Sequence, residues 1–139
     1  MKGLVLRGVS AAALCLALLG LPSCGNDSRL VAITVTPANI TIGGVDCTTS
    51  PCQPTVQYTA VGFYNHGGKP KDITSQVLWT TDTPSILQFQ SSPAGLLAPT
   101  GNGCGTNLGV TASVYTNPNS PTSGTIVSGG AIVSVNCGP

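Results

Sequence analysis

Charge is what this sequence has least of. Only 6% of its 139 residues are Asp, Glu, Lys or Arg, and none is a glutamate, against ~25% in an ordinary soluble domain. A formal net charge of +1 without a basic cluster lacks the electrostatic footprint of nucleic-acid binding, so no nucleic-acid partner is expected. Histidine is nearly missing as well, and any Ser-His-Asp or Cys-His device would have to use His66. The carboxylates Asp27, Asp46, Asp72 and Asp82 include no pair placed for glycoside hydrolysis and no Asp-x-Asp spacing suited to calcium. Aromatic residues make up 4% of the chain and mostly fall at core parity, which leaves few platforms for sugar stacking. The length allows one domain of ordinary size.

The apolar residues that are present concentrate at the start. Lys2 and Arg7 precede an apolar run from Ala11 to Leu21 that ends at Pro22 and Ser23. The run is shorter than the ~20 residues of a permanent transmembrane helix, so residues 1–23 read as an export signal. Leu21-Pro22-Ser23-Cys24 resembles the lipobox of bacterial lipoproteins, which implies cleavage between Ser23 and Cys24 and acylation of Cys24 by membrane lipid. Cysteine parity points the same way. Cleavage discards Cys15 and leaves Cys24, Cys47, Cys52, Cys104 and Cys137; diverting Cys24 to a lipid leaves an even set for an oxidising compartment. The alternative is an ordinary secretory cleavage that leaves Cys24 free or paired with another molecule. Residues 24–29 then form a short tether, and by resemblance to lipoprotein sorting in enteric bacteria Gly25 points to the outer membrane.

Beyond the tether, residues 30–139 are rich in Thr, Val and Ile and punctuated by Gly and Pro, with no sustained 3.6-residue apolar period, which is a β composition. Alternation predicts strands over 30–36, 39–42, 56–64, 75–80, 86–90, 96–98, 108–116 and 125–136, with Gly129-Gly130 as a bulge or kink. In the 56–64 run, Val56, Tyr58, Ala60, Gly62 and Tyr64 share the core-facing side. Val77 with Trp79, and Val110 with Ala112 and Val114, supply matching inward stripes. Short strands at this spacing predict an all-β sandwich or barrel, and a lone Trp79 on a short strand suits the space between two sheets. Phe63 falls on the outer face, either in a small contact patch or beneath the loop over 43–54.

Three stretches carry a resemblance: Ile33-Thr34-Val35-Thr36-Pro37-Ala38-Asn39-Ile40-Thr41-Ile42, then Gln57-Tyr58-Thr59-Ala60-Val61-Gly62-Phe63-Tyr64, then Asp72-Ile73-Thr74-Ser75-Gln76-Val77-Leu78-Trp79-Thr80-Thr81-Asp82-Thr83-Pro84-Ser85. Together they are similar to the bacterial Ig-like domain of group 2, found in intimin- and invasin-like adhesins and many envelope proteins. The match is clear from about residue 30 to 90 and loose beyond. It implies an immunoglobulin-like β-sandwich of about seven to eight short antiparallel strands, and it says little about activity, because such modules are interchangeable.

The four remaining cysteines allow three pairings. Proximity and strand order favour Cys47 with Cys52 and Cys104 with Cys137. Neither pair has zinc-knuckle spacing, so no metal and no cofactor is expected. His66 lies in Asn65-His66-Gly67-Gly68-Lys69-Pro70, a turn between strands, where a solvated role outweighs catalysis. The expected function is a non-catalytic cell-envelope lipoprotein with one structural or adhesive module. A ligand-binding module for glycan or an envelope protein, using loops 43–54, 91–106 and 117–124, is the alternative, and a hydrolase centred on His66 is a third reading.

Overall fold

The computed structural model describes residues 28–116 and 124–136. Ten strand segments form, the longer ones on period-two alternation of Val, Ile and Thr with short polar residues: β1 (Leu30–Thr36), β2 (Asn39–Ile42), β3 (Val56–Gln57), β4 (Thr59–Tyr64), β5 (Lys71–Asp72), β6 (Leu78–Thr81), β7 (Leu87–Phe89), β8 (Leu96–Pro99), β9 (Gly105–Tyr115) and β10 (Ile126–Val135). They form two facing layers. One holds β1, β4 and β5 together with β3, β8 and β7, and the other runs β2-β10-β9-β6. This is the strand arrangement of an immunoglobulin-like sandwich.

The expected 75–80 strand starts only at Leu78, after a turn over 74–76, and strand pairing differs from the sequence expectation in three ways. The 56–64 run breaks at Tyr58, whose N–H donates to the Gly95 carbonyl at 2.8 Å; β4 then pairs with β1 and β3 with β8, so one run serves two partners. The two-residue β5 pairs with Val61 and Gly62, although nothing in Lys71-Asp72 signals a strand. Finally, β2 pairs with β10 in parallel, not antiparallel, because the chain crosses between layers at Pro37-Ala38 without reversing direction.

Gly129-Gly130 is not a bulge. Gly129 faces Ala112 and Gly130 faces Thr111 in unbroken register, and the shift comes later, between Val133 and Val135. The glycine answers a contact from the other layer: a Cβ on Gly129 would collide with the Ile33 carbonyl. Close backbone approach is one of the uses of glycine inside a strand.

The core follows the alternation. Ile33, Val35, Tyr58, Ala60, Leu87, Leu97, Val110, Ala112, Val133 and Val135 are buried, and among the described residues no polar or charged residue is. Each large apolar side chain so buried contributes about 1.5–3 kcal/mol relative to exposure.

Strand directions define two ends. At the first, Leu30 at the start of β1 faces Tyr64 at the close of β4, and Tyr115 at the close of β9 faces Ile126 at the start of β10. At the second lie the loop after β2, the β6–β7 connection and the start of β9, where Gly105 faces Val135.

Candidate functional site

Three places on this frame bring chemically distinctive side chains together. The first is an aromatic wedge between the layers. Tyr58 comes from the broken strand, Trp79 from β6 and Phe89 from β7, with ring centroids 6.1 Å apart for Tyr58–Trp79, 6.3 Å for Tyr58–Phe89 and 5.2 Å for Trp79–Phe89. The Trp79 indole N–H donates to the Thr74 carbonyl at 2.9 Å, which meets the need of a half-buried indole for a partner. The Tyr58 hydroxyl is buried without one, and burial pushes its pKa up to about 12. The outer side of the wedge opens as a shallow groove of about 280 Å³ lined by Trp79, Thr80, Thr81, Pro84, Gln88 and Phe89. It offers apolar contact and two hydroxyls, and neither a nucleophile with a base nor a carboxylate pair.

Among the core candidates, Tyr58, Ala60 and Val110 are buried, while Val77, Trp79 and Val114 are partly buried against that core. The partial exposure of Trp79 follows from its place on β6, an edge strand beside the open gap between the layers.

The second place is the far end. Cys47 and Cys52 are joined, with their Cα atoms 4.2 Å apart, and close a small hairpin in which Asp46 and Gln53 exchange backbone hydrogen bonds at 2.8 and 2.7 Å. The loop over 43–54 is therefore an ordered cap, and Gly101, at φ +79°, admits the Cys47 sulfur where a Cβ could not fit. Cys104 is exposed and has no disulfide partner among the described residues; Cys137, Cys24 and Ser23 lie outside them. Register brings Cys104 beside the end of β10, since Gly105 faces Val135 and Asn136 N–H donates to Ile42 at 2.8 Å. Loop 91–106 contains β8 and the start of β9, and residues 117–123 of the third loop are outside the described residues.

The third place is the near end. His66, at φ 54°, sits exposed in a turn whose Asn65 clasps the incoming chain. Arg29 N–H donates to the Asn65 side-chain oxygen at 2.6 Å and Asn65 N–H returns a bond to Arg29 O at 3.0 Å. Phe63 is 38% exposed and is not covered by the 43–54 hairpin, which lies at the opposite end. This overturns the covered alternative for Phe63.

The three described aspartates hold loops. Asp46 accepts from Thr48 N–H at 2.8 Å, Asp72 from Thr74 N–H at 2.9 Å, and Asp82 from Gly109 N–H at 2.8 Å and the Thr83 hydroxyl. Each carboxyl is held below the ordinary range: Asp46 by the Thr48 backbone, Asp72 by the Thr74 side chain, and Asp82 by the Thr83 hydroxyl and then Gly109 N–H. Among the described residues no group of His, Cys, Asp or Glu is arranged to hold a metal ion. No protein-family model matches the chain, and no curated protein matches it.

Proposed function

We propose that the chain is a non-catalytic lipoprotein of the bacterial cell envelope, held by acyl chains on Cys24 and displaying one group 2 Ig-like module in a structural or adhesive role. The observation that carries this reading is Leu21-Pro22-Ser23-Cys24 at the end of an apolar run, together with the even cysteine set that lipidation leaves. The sandwich supports a module in which stability comes from ladder bonding and apolar burial. Its few carboxylates serve as acceptors for loop N–H groups and are not gathered around a cleft. A lipid anchor of two or more chains holds such a domain stably, at about 0.8 kcal/mol per buried methylene. Pairing of Cys104 with Cys137 belongs to the same proposal, and the position of Cys104 beside the end of β10 supports it.

Intact mass of the membrane-extracted protein, before and after reduction, tests both parts. The expected result is a mass increase from acyl groups on the peptide that begins at Cys24, with two bridges in the remainder. Cys24→Ser is expected to abolish acyl labelling and to release the protein from the membrane fraction. Membrane retention by a wild type that takes no label would refute the proposal.

A further inference from the structure

The lysines and arginines of the domain gather toward one end of its long axis. Arg29, Lys69 and Lys71 are the only lysines and arginines after residue 28, and all three lie at the near end: Arg29 beside the Asn65 turn, Lys69 just past it, and Lys71 opposite Gly62 with its ammonium 5.2 Å from the Tyr64 ring centroid. Asp46 and Asp82 sit at the far end, in the disulfide hairpin and against Gly109. Asp72, next to Lys71 on β5 and held by Thr74 N–H, brings one negative charge to the same end, and Asp27 precedes Arg29 by two residues in the sequence.

Exposed apolar side chains are sorted the same way. Val31 is 54% exposed, Phe63 38%, Leu78 61%, Tyr115 41% and Ile126 53%, and register places each of them toward the near end. Val31 and Phe63 flank the Leu30–Tyr64 pair, Tyr115 faces Ile126, and Leu78 opens β6 opposite Ser113. Of the strongly exposed large apolar residues described, Ile132 alone lies elsewhere, opposite Gly109.

We propose that this end of the sandwich is a docking surface for a layer of anionic phospholipid headgroups. The identity of that surface rests on the Cys24 anchor proposed above. Ser28 packs beside Gly68, so an anchor at Cys24 would be joined to this end by four residues, reaching at most ~14 Å. The sandwich is longer than that: the ten residues of β10 extend ~33 Å. An inverted pose, with the far end on the membrane and the near end a strand length above it, is therefore out of the tether's reach. When the domain stands on its near end, the aspartates of the far end lie beyond the ~8 Å over which salt leaves charges coupled. The near end combines the two attractions that hold peripheral proteins on membranes, basic side chains facing anionic headgroups and apolar side chains at the headgroup boundary. Docking would hold the sandwich upright with the disulfide cap outermost.

The test uses the full protein reconstituted in vesicles of phosphatidylglycerol with phosphatidylethanolamine, or of phosphatidylcholine alone, read by hydrogen exchange. Amides over 28–34 and 61–71 are expected to exchange more slowly in the anionic vesicles, and the protection is expected to disappear in high salt. Arg29→Gln with Lys69→Gln and Lys71→Gln should shift the docking equilibrium by about a hundredfold, with an unchanged melting temperature showing that the variant folds. Phe63→Ser should weaken docking even at low salt. Equal exchange in both vesicle types, protection that survives the triple substitution, or protection only when a second envelope protein is added would overturn the proposal. Mass analysis of the Cys24 peptide in the same samples separates the two claims. Acylation without protection removes docking and leaves the anchor. If Cys24 is unacylated, sedimentation of the added protein with phosphatidylglycerol vesicles sustains docking, and its absence ends it.

Discussion

The end where the chain enters the sandwich holds Arg29, Lys69 and Lys71 together with the exposed Val31 and Phe63. At the other end Asp46 and Asp82 hold loop N–H groups, and the Cys47–Cys52 bridge closes a hairpin over Gly101. One end is stapled and the other is held by the ladders of β1, β4, β9 and β10. A chain with so few charges can afford to place each one, and the placement separates stability from contact. The described acids, though exposed, accept hydrogen bonds that hold turns, whereas Lys71 lies over the Tyr64 ring.

The sharpest way to break this division is to attack what the two ends share. Gly129 lies where β10 meets β1 between the layers, and Gly129→Val would force a side chain into the Ile33 backbone. A loss of about 3 kcal/mol is expected, the upper part of the range for overpacking, measured by chemical denaturation. A variant of wild-type stability would show that the layers are not in contact there. Next in size is the far end alone. Cys47→Ser with Cys52→Ser removes a small ring whose closure entropy is worth about 2 kcal/mol. Stability should fall by that amount while membrane association stays the same; a fall in both would mean the ends are coupled.

Asp82→Asn is a smaller perturbation. Asp82 is exposed, and solvent screening limits the effect at neutral pH to under about 1 kcal/mol. The pH dependence is more telling. The Thr83 hydroxyl and Gly109 N–H hold its carboxyl below the ordinary aspartate range in the folded protein, so its contribution is fully present above the unfolded value and is lost as the pH falls through the lower folded one. Asp46 and Asp72 shift in the same direction. Stability should therefore decline as the protein is acidified below about pH 4, less steeply for Asp82→Asn, as followed by thermal melts across acidic buffers. The smallest stability change is expected from Arg29→Gln, Lys69→Gln and Lys71→Gln together, within about 0.5 kcal/mol as is usual for surface positions. A larger loss would show that the cations hold the fold as well as face its surroundings.

The first two strands were legible to the residue, because Leu30–Thr36 and Asn39–Ile42 are alternating runs bounded by Pro37 and Gly43. The inward face of 56–64 was legible for the same reason, since a period of two assigns every side chain to a face. The split of that run at Tyr58 was not, because each half chooses a different partner and partner choice leaves no mark on alternation. Lys71-Asp72 gave no signal because a two-residue strand has no period, and only β4 beside it makes it one. Gly129-Gly130 was legible as special but assigned the wrong reason, since the atom that demands glycine belongs to Ile33, nearly a hundred residues earlier in the chain. The Cys47–Cys52 bridge was within reach because a five-residue separation is a local property.

The same boundary separates what the sequence determined from what the tertiary structure decided. Composition and alternation were enough for an all-β chain with an inward stripe on each long strand, since both are properties of neighbouring residues. Lysines, an arginine and scattered apolar residues far apart in sequence carried no pattern there. Antiparallel and parallel pairing gathered Arg29, Phe63, Lys71, Tyr115 and Ile126 at one end, because strand direction, which no local stretch encodes, sets which end of the sandwich a residue occupies.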